Sequence, residues 1–337
     1  MKLSQRLTVE EYTKGIIEGN RFILSRAITL IESKLAEDQV LAQKVLQSII
    51  PYTGKSFRIG ITGVPGVGKS TFIESFGFAL AESGKKLAVL AIDPSSQKTK
   101  GSIMGDKTRM EKLSNHPNAY VRPSPTGDTL GGVTRKTRET MLLCEASGYE
   151  IIIIETVGVG QSETAVRGMV DFFLLLMLAG AGDELQGIKK GIMEMADMLV
   201  ITKADGDNLP KAKLAMGEYA SALHLFRPEK PHWTPPVKIC SSVTQEGLDK
   251  IWESMREYQQ KMIANGWLQH QREKQNLRWL YEIIEDQLLQ EFYQNEEIQK
   301  ESKILEADVL QGKIMPFGAA KQLLEIFKRV REIKEKK

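Results

Sequence analysis

The chain has 337 residues, of which 42% are hydrophobic, 26% charged and 7% aromatic; this suits one to three globular domains and excludes a disordered chain. Lys and Arg number 46 against 43 Asp and Glu, and the resulting net charge of +3 lacks the concentrated basic footprint of a nucleic-acid binder. The longest apolar run, 172–182, is about half of the ~20 residues a membrane span needs, while Cys144 and Cys240 lie too far apart for a metal or redox motif.

The first ten residues carry charge and lack the apolar core of a signal peptide, so a cytoplasmic location is expected. From Thr8 to Ile50 apolar residues recur at helical spacing, through Ile16, Leu24, Ala27, Ile28, Ile31, Val45, Leu46 and Ile49, until Pro51 supplies a stop. Residues 1–55 therefore read as an N-terminal helical extension. Across residues 56–252 the pattern changes to short apolar runs at 58–62, 87–92, 151–154, 172–178, 198–202 and 237–240, separated by amphipathic stretches. Runs that are apolar throughout predict strands covered on both faces, and hence an α/β fold with a mainly parallel sheet flanked by helices. Beyond Trp252 no strand signal returns. Amphipathic segments at 247–264, 267–294, 298–310 and 316–332 predict a C-terminal helical region over 253–337, with the basic end after Lys328 a solvated helix end.

Chemistry begins directly after the first strand. The stretch Gly63-Val64-Pro65-Gly66-Val67-Gly68-Lys69-Ser70-Thr71 fits G-x-x-x-x-G-K-[ST] at every fixed position, which makes the fold a P-loop NTPase. The glycines let backbone N–H groups converge on a β-phosphate, Lys69 brings a point charge to the β- and γ-phosphates, and the Ser70 hydroxyl suits Mg²⁺. Two neighbouring strands end in acids, Asp93 and Glu155, where such a site needs carboxylates for the metal and the attacking water. Glu155 to Gly158 reads like the D-x-x-G switch of GTPases with Glu in place of Asp. Between those strands, Gly101 to Arg109 combines glycines with Asp106, Lys107 and Arg109, as expected of a segment that closes over nucleotide. No residue declares itself a general base, and spacing does not place Gln161, so slow intrinsic hydrolysis with a partner ordering the switches is expected.

The base is read further along. Thr202-Lys203-Ala204-Asp205 follows a strand and is close to N-K-x-D, in which the acid accepts from guanine N1–H and the 2-amino group together. Adenine offers no matching donor pair, and a carboxylate left unpaired is costly, so Asp205 predicts GTP over ATP. Thr202 departs from Asn, though its hydroxyl can still tie the loop. Ser241-Ser242-Val243 occupies the place of the short loop whose backbone reads guanine O6.

Taken together, Gly63–Thr71, Asp93-Pro-Ser-Ser96, Gly101–Arg109, Arg122-Pro-Ser-Pro125, Glu155–Glu163 and Gly182–Gly191 resemble the MeaB/ArgK/MMAA family over nearly the whole chain. These are metallochaperone-type P-loop GTPases that assist adenosylcobalamin-dependent methylmalonyl-CoA mutase. The resemblance implies Ser70, Asp93, Asp106 and Glu155 as the Mg²⁺ shell and, with Lys69, as the catalytic set. It implies switch I around Asp106, switch II over Glu155–Glu163 with Gly158 and Gln161, and a further switch loop over Ala179–Gly191. Arg109, Asp183 and Lys189 are candidate partners in that switching. It also implies a homodimer held by the C-terminal helices and a GTP/GDP cycle that gates cofactor delivery to the mutase, or a related acyl-CoA mutase, and protects it. The cobalamin is expected to belong to the partner, because no Asp-x-His-x-x-Gly signature occurs here. The alternative is an ATPase or kinase associated with lysine/arginine/ornithine transport, which shares the P-loop; Asp205 favours guanine. A nickel-inserting GTPase would show a metal-binding His or Cys segment, and none is visible.

Overall fold

The computed structural model describes residues 6–92, 110–123, 130–156, 162–180, 190–224 and 233–335. Three helices open it: α1 (Val9–Ile17), α2 (Arg21–Glu32) and α3 (Ala36–Ile49). A capping box starts α1, in which the Thr8 hydroxyl accepts from the Glu11 N–H while the Glu11 carboxylate accepts from the Thr8 N–H. Asn20 caps α2 by accepting from the N–H groups of Phe22 and Ile23.

Strands and helices then alternate: β1 (Phe57–Gly63), α4 (Lys69–Glu82), β2 (Leu87–Ile92), α5 (Glu111–Asn115), β3 (Ala119–Arg122), α6 (Leu130–Ala146) and β4 (Ile151–Thr156). There follow α7 (Ser162–Arg167), β5 (Phe172–Met177), α8 (Lys190–Met195), β6 (Met198–Ile201), α9 (Leu209–Leu223) and β7 (Val237–Ile239). Four helices close the chain: α10 (Leu248–Ala264), α11 (Trp267–Tyr293), α12 (Glu296–Leu310) and α13 (Pro316–Glu335).

The strands form one seven-stranded sheet in the order β3-β2-β4-β1-β5-β6-β7, and every described pairing is parallel. The doubly covered P-loop architecture expected from the apolar runs is therefore present. One strand, β3, had no apolar run to announce it: it is short, lies at the sheet edge and is only half buried. Period two divides the central strands between two cores. Ile59, Ile61, Ile153 and Leu174 pack with α4, α9 and α10 on one face. Ala88, Leu90, Ile152, Ile154 and Phe173 pack with α1–α3 and α6 on the other. The opening helices thus share a core with the sheet, and each fully buried aliphatic side chain stabilises it by about 1.5–3 kcal/mol.

The chain divides into two compact units, Met1–Gln275 and Asn276–Lys337, so α11 begins in the first and ends in the second. Within the second unit Ile298, Leu305 and Ala319 are buried, and the Phe292 and Phe327 rings meet edge-on at 5.2 Å. Among the described residues no helix is long and apolar enough to cross a membrane.

Candidate functional site

The site forms at the carboxyl ends of β1, β4, β6 and β7, where a parallel sheet leaves its loops and helix N-termini to face a ligand. The loop 64–68 leaves β1 and enters α4. Its curl depends on Gly66 and Gly68, which hold φ at +75° and +87°, a region that side chains with a Cβ rarely enter. Gly63 serves a different need: a Cβ there would stand 2.5 Å from the Leu176 carbonyl of the neighbouring strand. Val64 and Val67 turn inward into the core, leaving Pro65 exposed, so apolar packing anchors the loop from below.

Lys69 opens α4 and donates from Nζ to the Gly63 carbonyl at 2.9 Å. Burial pushes its ammonium below the usual lysine range, against the opposing charges of Glu155 and Glu163. Glu155 lies on β4, in register with Ile61 of β1, and accepts from the Ser70 hydroxyl at 3.1 Å. Glu155 is 7% exposed, beside Thr156, which donates to Thr62 at 2.8 Å. A hydroxyl and a carboxylate converging beside a phosphate loop are hard oxygen donors of the kind Mg²⁺ takes.

On the other flank, Thr202 follows β6 and donates to the Val67 carbonyl at 2.8 Å. Lys203 is one of two non-glycine residues with positive φ among the described residues, at 57°. That conformation is held at both ends: its Nζ donates to the Gly66 carbonyl at 2.9 Å, and its own carbonyl accepts from Asn208 at 2.7 Å. Ser241 donates to the Asp205 carboxylate and accepts from the N–H groups of Val243 and Thr244 at 3.2 and 3.1 Å. Asp205 is thereby aimed, and the 241–244 turn is closed around one hydroxyl. Ser242 is partly buried, whereas the Val243 side chain is exposed.

The structure therefore brings together Gly63 to Thr71, Glu155, Thr202, Lys203, Asp205 and Ser241 to Val243 along one edge of the sheet. Asp93, Asp106, Arg109, Gly158, Gln161, Asp183 and Lys189 lie outside the described residues. Two residues of the site carried no motif of their own. Glu163, on α7, is 2% exposed and acts electrostatically on Lys69; its only signal was a place at the end of the switch-like block. Ser75, on α4, donates to the Ser242 carbonyl at 2.9 Å and had no signal at all.

Comparison with known proteins identifies the family of the chain. The family model described as "Methylmalonyl Co-A mutase-associated GTPase MeaB" matches residues 24–297. A protein of Caulobacter vibrioides named as a GTPase is 50% identical over 321 residues, covering 95% of this chain and 98% of the relative. The "Methylmalonic aciduria type A homolog, mitochondrial" of Mus musculus is 48% identical over 334 residues, covering 96% of this chain and 80% of the relative. The solved structure of a protein named "LAO/AO transport system kinase" is similar with a TM-score of 0.76 and 38% identity, covering 97% of this chain and 100% of that one.

Proposed function

The chain belongs to the MeaB family of methylmalonyl-CoA mutase-associated GTPases, and from that premise we propose that its GTP cycle gates adenosylcobalamin loading into methylmalonyl-CoA mutase, or a related acyl-CoA mutase, and protects that enzyme in turnover. One observation carries the nucleotide part of this reading. Thr202 and Lys203 bond the Val67 and Gly66 carbonyls, so the segment that carries Asp205 is built onto the phosphate loop.

In this reading the N–H groups of Gly63 to Thr71 surround the phosphates, and Lys69 exchanges the Gly63 carbonyl for a phosphate oxygen. Asp205 accepts from guanine N1–H and the 2-amino group, the Lys203 stem lies along the base, and the Ser241–Val243 backbone faces O6. Ser70 and Glu155, whose oxygens lie 3.1 Å apart, would hold Mg²⁺ with Asp93 and Asp106. When bound, Mg²⁺ neutralises charge on the β- and γ-phosphates. Gly158 and Gln161 belong to the segment that senses the γ-phosphate, while Arg109, Asp183 and Lys189 change partners as the nucleotide changes. Hydrolysis by the chain alone is slow and is accelerated when the partner orders these segments. The cobalamin stays with the mutase.

A homodimer is part of the same reading. Leu277, Leu280, Tyr281, Ile284 and Leu288 are all exposed on α11, at spacings that align them in one stripe.

Calorimetric titration of the chain into methylmalonyl-CoA mutase tests the gating claim, with a GTP analogue in one series and GDP in the other. The expected result is a difference in affinity of about tenfold or more between the two nucleotide states, equivalent to ~1.4 kcal/mol of coupling. Equal affinity would remove the gate. Phosphoryl transfer from ATP to a solute-binding protein would instead support a kinase role, the activity for which the structurally similar relative is named.

A further inference from the structure

We infer that Ser75 is a positioning residue for base discrimination, acting through the Ser242–Val243 peptide and not through nucleotide contact. The inference rests on the reading of 241–243 as the loop that faces the base. Ser75 lies on α4, the helix that the phosphate loop opens into, and its hydroxyl donates to the Ser242 carbonyl at 2.9 Å. The next atom pair of that same peptide is also held: the Val243 N–H donates to the Ser241 hydroxyl at 3.2 Å. A planar peptide gripped at both its C=O and its N–H has no freedom to rotate about its flanking bonds.

The grip is reinforced on either side. Ser241 N–H donates to the Glu246 carbonyl at 3.1 Å, closing the turn, and the Ser241 hydroxyl is the group that also holds Asp205. Next to Ser75, Phe76 meets Trp252 of α10 edge-on at 6.3 Å, tying the same helix to the element that follows the turn. The Ser75 side chain thus links the phosphate helix to the loop backbone. It therefore sets the loop in register with the phosphates, so that an N–H in the loop meets the base carbonyl only when the base is held at the correct distance from the P-loop.

The loss of one such bond removes about 3- to 10-fold in affinity for ligands that use the loop. The test compares wild type, Ser75→Ala and Ser75→Thr by competition against a fluorescent GDP analogue, with GDP, IDP, ADP and pyrophosphate as competitors. GDP and IDP both carry the 6-oxo group, whereas ADP and pyrophosphate do not. The expected result for Ser75→Ala is weaker GDP and IDP binding by about 3- to 10-fold with ADP and pyrophosphate unchanged, and recovery in Ser75→Thr. A uniform loss across all four competitors would reduce Ser75 to a helix-packing residue and overturn the inference. Full discrimination retained in Ser75→Ala, in a wild type that prefers GDP to ADP, would overturn it alone. A wild type that binds GDP and ADP equally would overturn both it and the reading of the base loop.

Discussion

At the amino ends of β1 and β5 charged side chains are paired with one another, whereas at the carboxyl ends the ammonium groups of Lys69 and Lys203 rest on backbone carbonyls. Arg58 meets Glu145 of α6 through Nε at 2.8 Å and Nη2 at 3.0 Å, and Glu145 also accepts from Ser56 and from the Gly54 N–H. Arg272 of α11 meets Asp171 through Nε and Nη2 at 2.8 and 2.6 Å and donates to the carbonyls of Gly54 and Ser56. These carboxylates are fully buried, and each has a guanidinium fixed in the two-pronged geometry that suits it. Lys69 and Lys203, by contrast, each donate to a neutral loop carbonyl, and in the proposed reading a phosphate oxygen takes the place of the one at Lys69. The same sheet thus carries ion-paired charge at one end and, at Lys69, a cation held by a neutral carbonyl at the other. A ligand can compete with a neutral carbonyl at modest cost, but not with a buried carboxylate already paired with its guanidinium.

The largest effect is expected at Arg272. Arg272→Ala strands Asp171 as a buried charge and frees the 54–56 connection, with an expected loss of about 3–5 kcal/mol in denaturant unfolding. A loss under 1 kcal/mol would mean that the amino-end pairs are as replaceable as those at the other end. Lys69→Ala makes the opposite kind of change: fold stability without nucleotide stays close to wild type, while GDP affinity falls by about 10- to 150-fold. Equilibrium binding paired with thermal melting reads both quantities on one sample. Unchanged nucleotide affinity would remove Lys69 from the phosphate cradle.

How far the sequence disclosed this contrast depends on how local each signal is. The P-loop was legible because its glycines answer to their own backbone angles and its Lys and Ser follow at fixed spacing. The central strands were legible because burial on both faces leaves nothing but apolar residues in 59–61, 87–92 and 151–154. The edge strand β3 needs only half that burial, and so Ala119 to Arg122 did not stand out. Helical periodicity revealed α1–α3 but not that they close one face of the sheet, since periodicity says which side is apolar and not what covers it. The hydroxyl at Thr202 could be noticed as a departure from Asn, but its acceptor Val67 lies 135 positions away in the chain. Ser75 and Ser242 are 167 apart, and Arg272 and Asp171 are 101 apart. Pairings of that range are created by the sheet order and have no local signature.

The smallest effect concerns pH and separates the two ends without disturbing either. Burial alone would raise the Glu145 carboxyl, but the Arg58 charge and the bonds from Arg58, Ser56 and Gly54 outweigh it and hold it below the usual Glu range. A carboxyl depressed in the folded state stabilises the fold fully above its unfolded value of about 4.3, and that contribution is lost as pH falls through the folded value. The difference in unfolding free energy between wild type and Glu145→Gln should therefore be constant near neutrality and shrink below about pH 4.3. Because Glu145 lies at the end of the sheet away from the nucleotide, the same curve should be obtained with and without GDP. A difference curve that moves on adding GDP would show that the ion-paired charges are coupled to those at the carboxyl end, and the two ends would have to be treated as a single electrostatic unit.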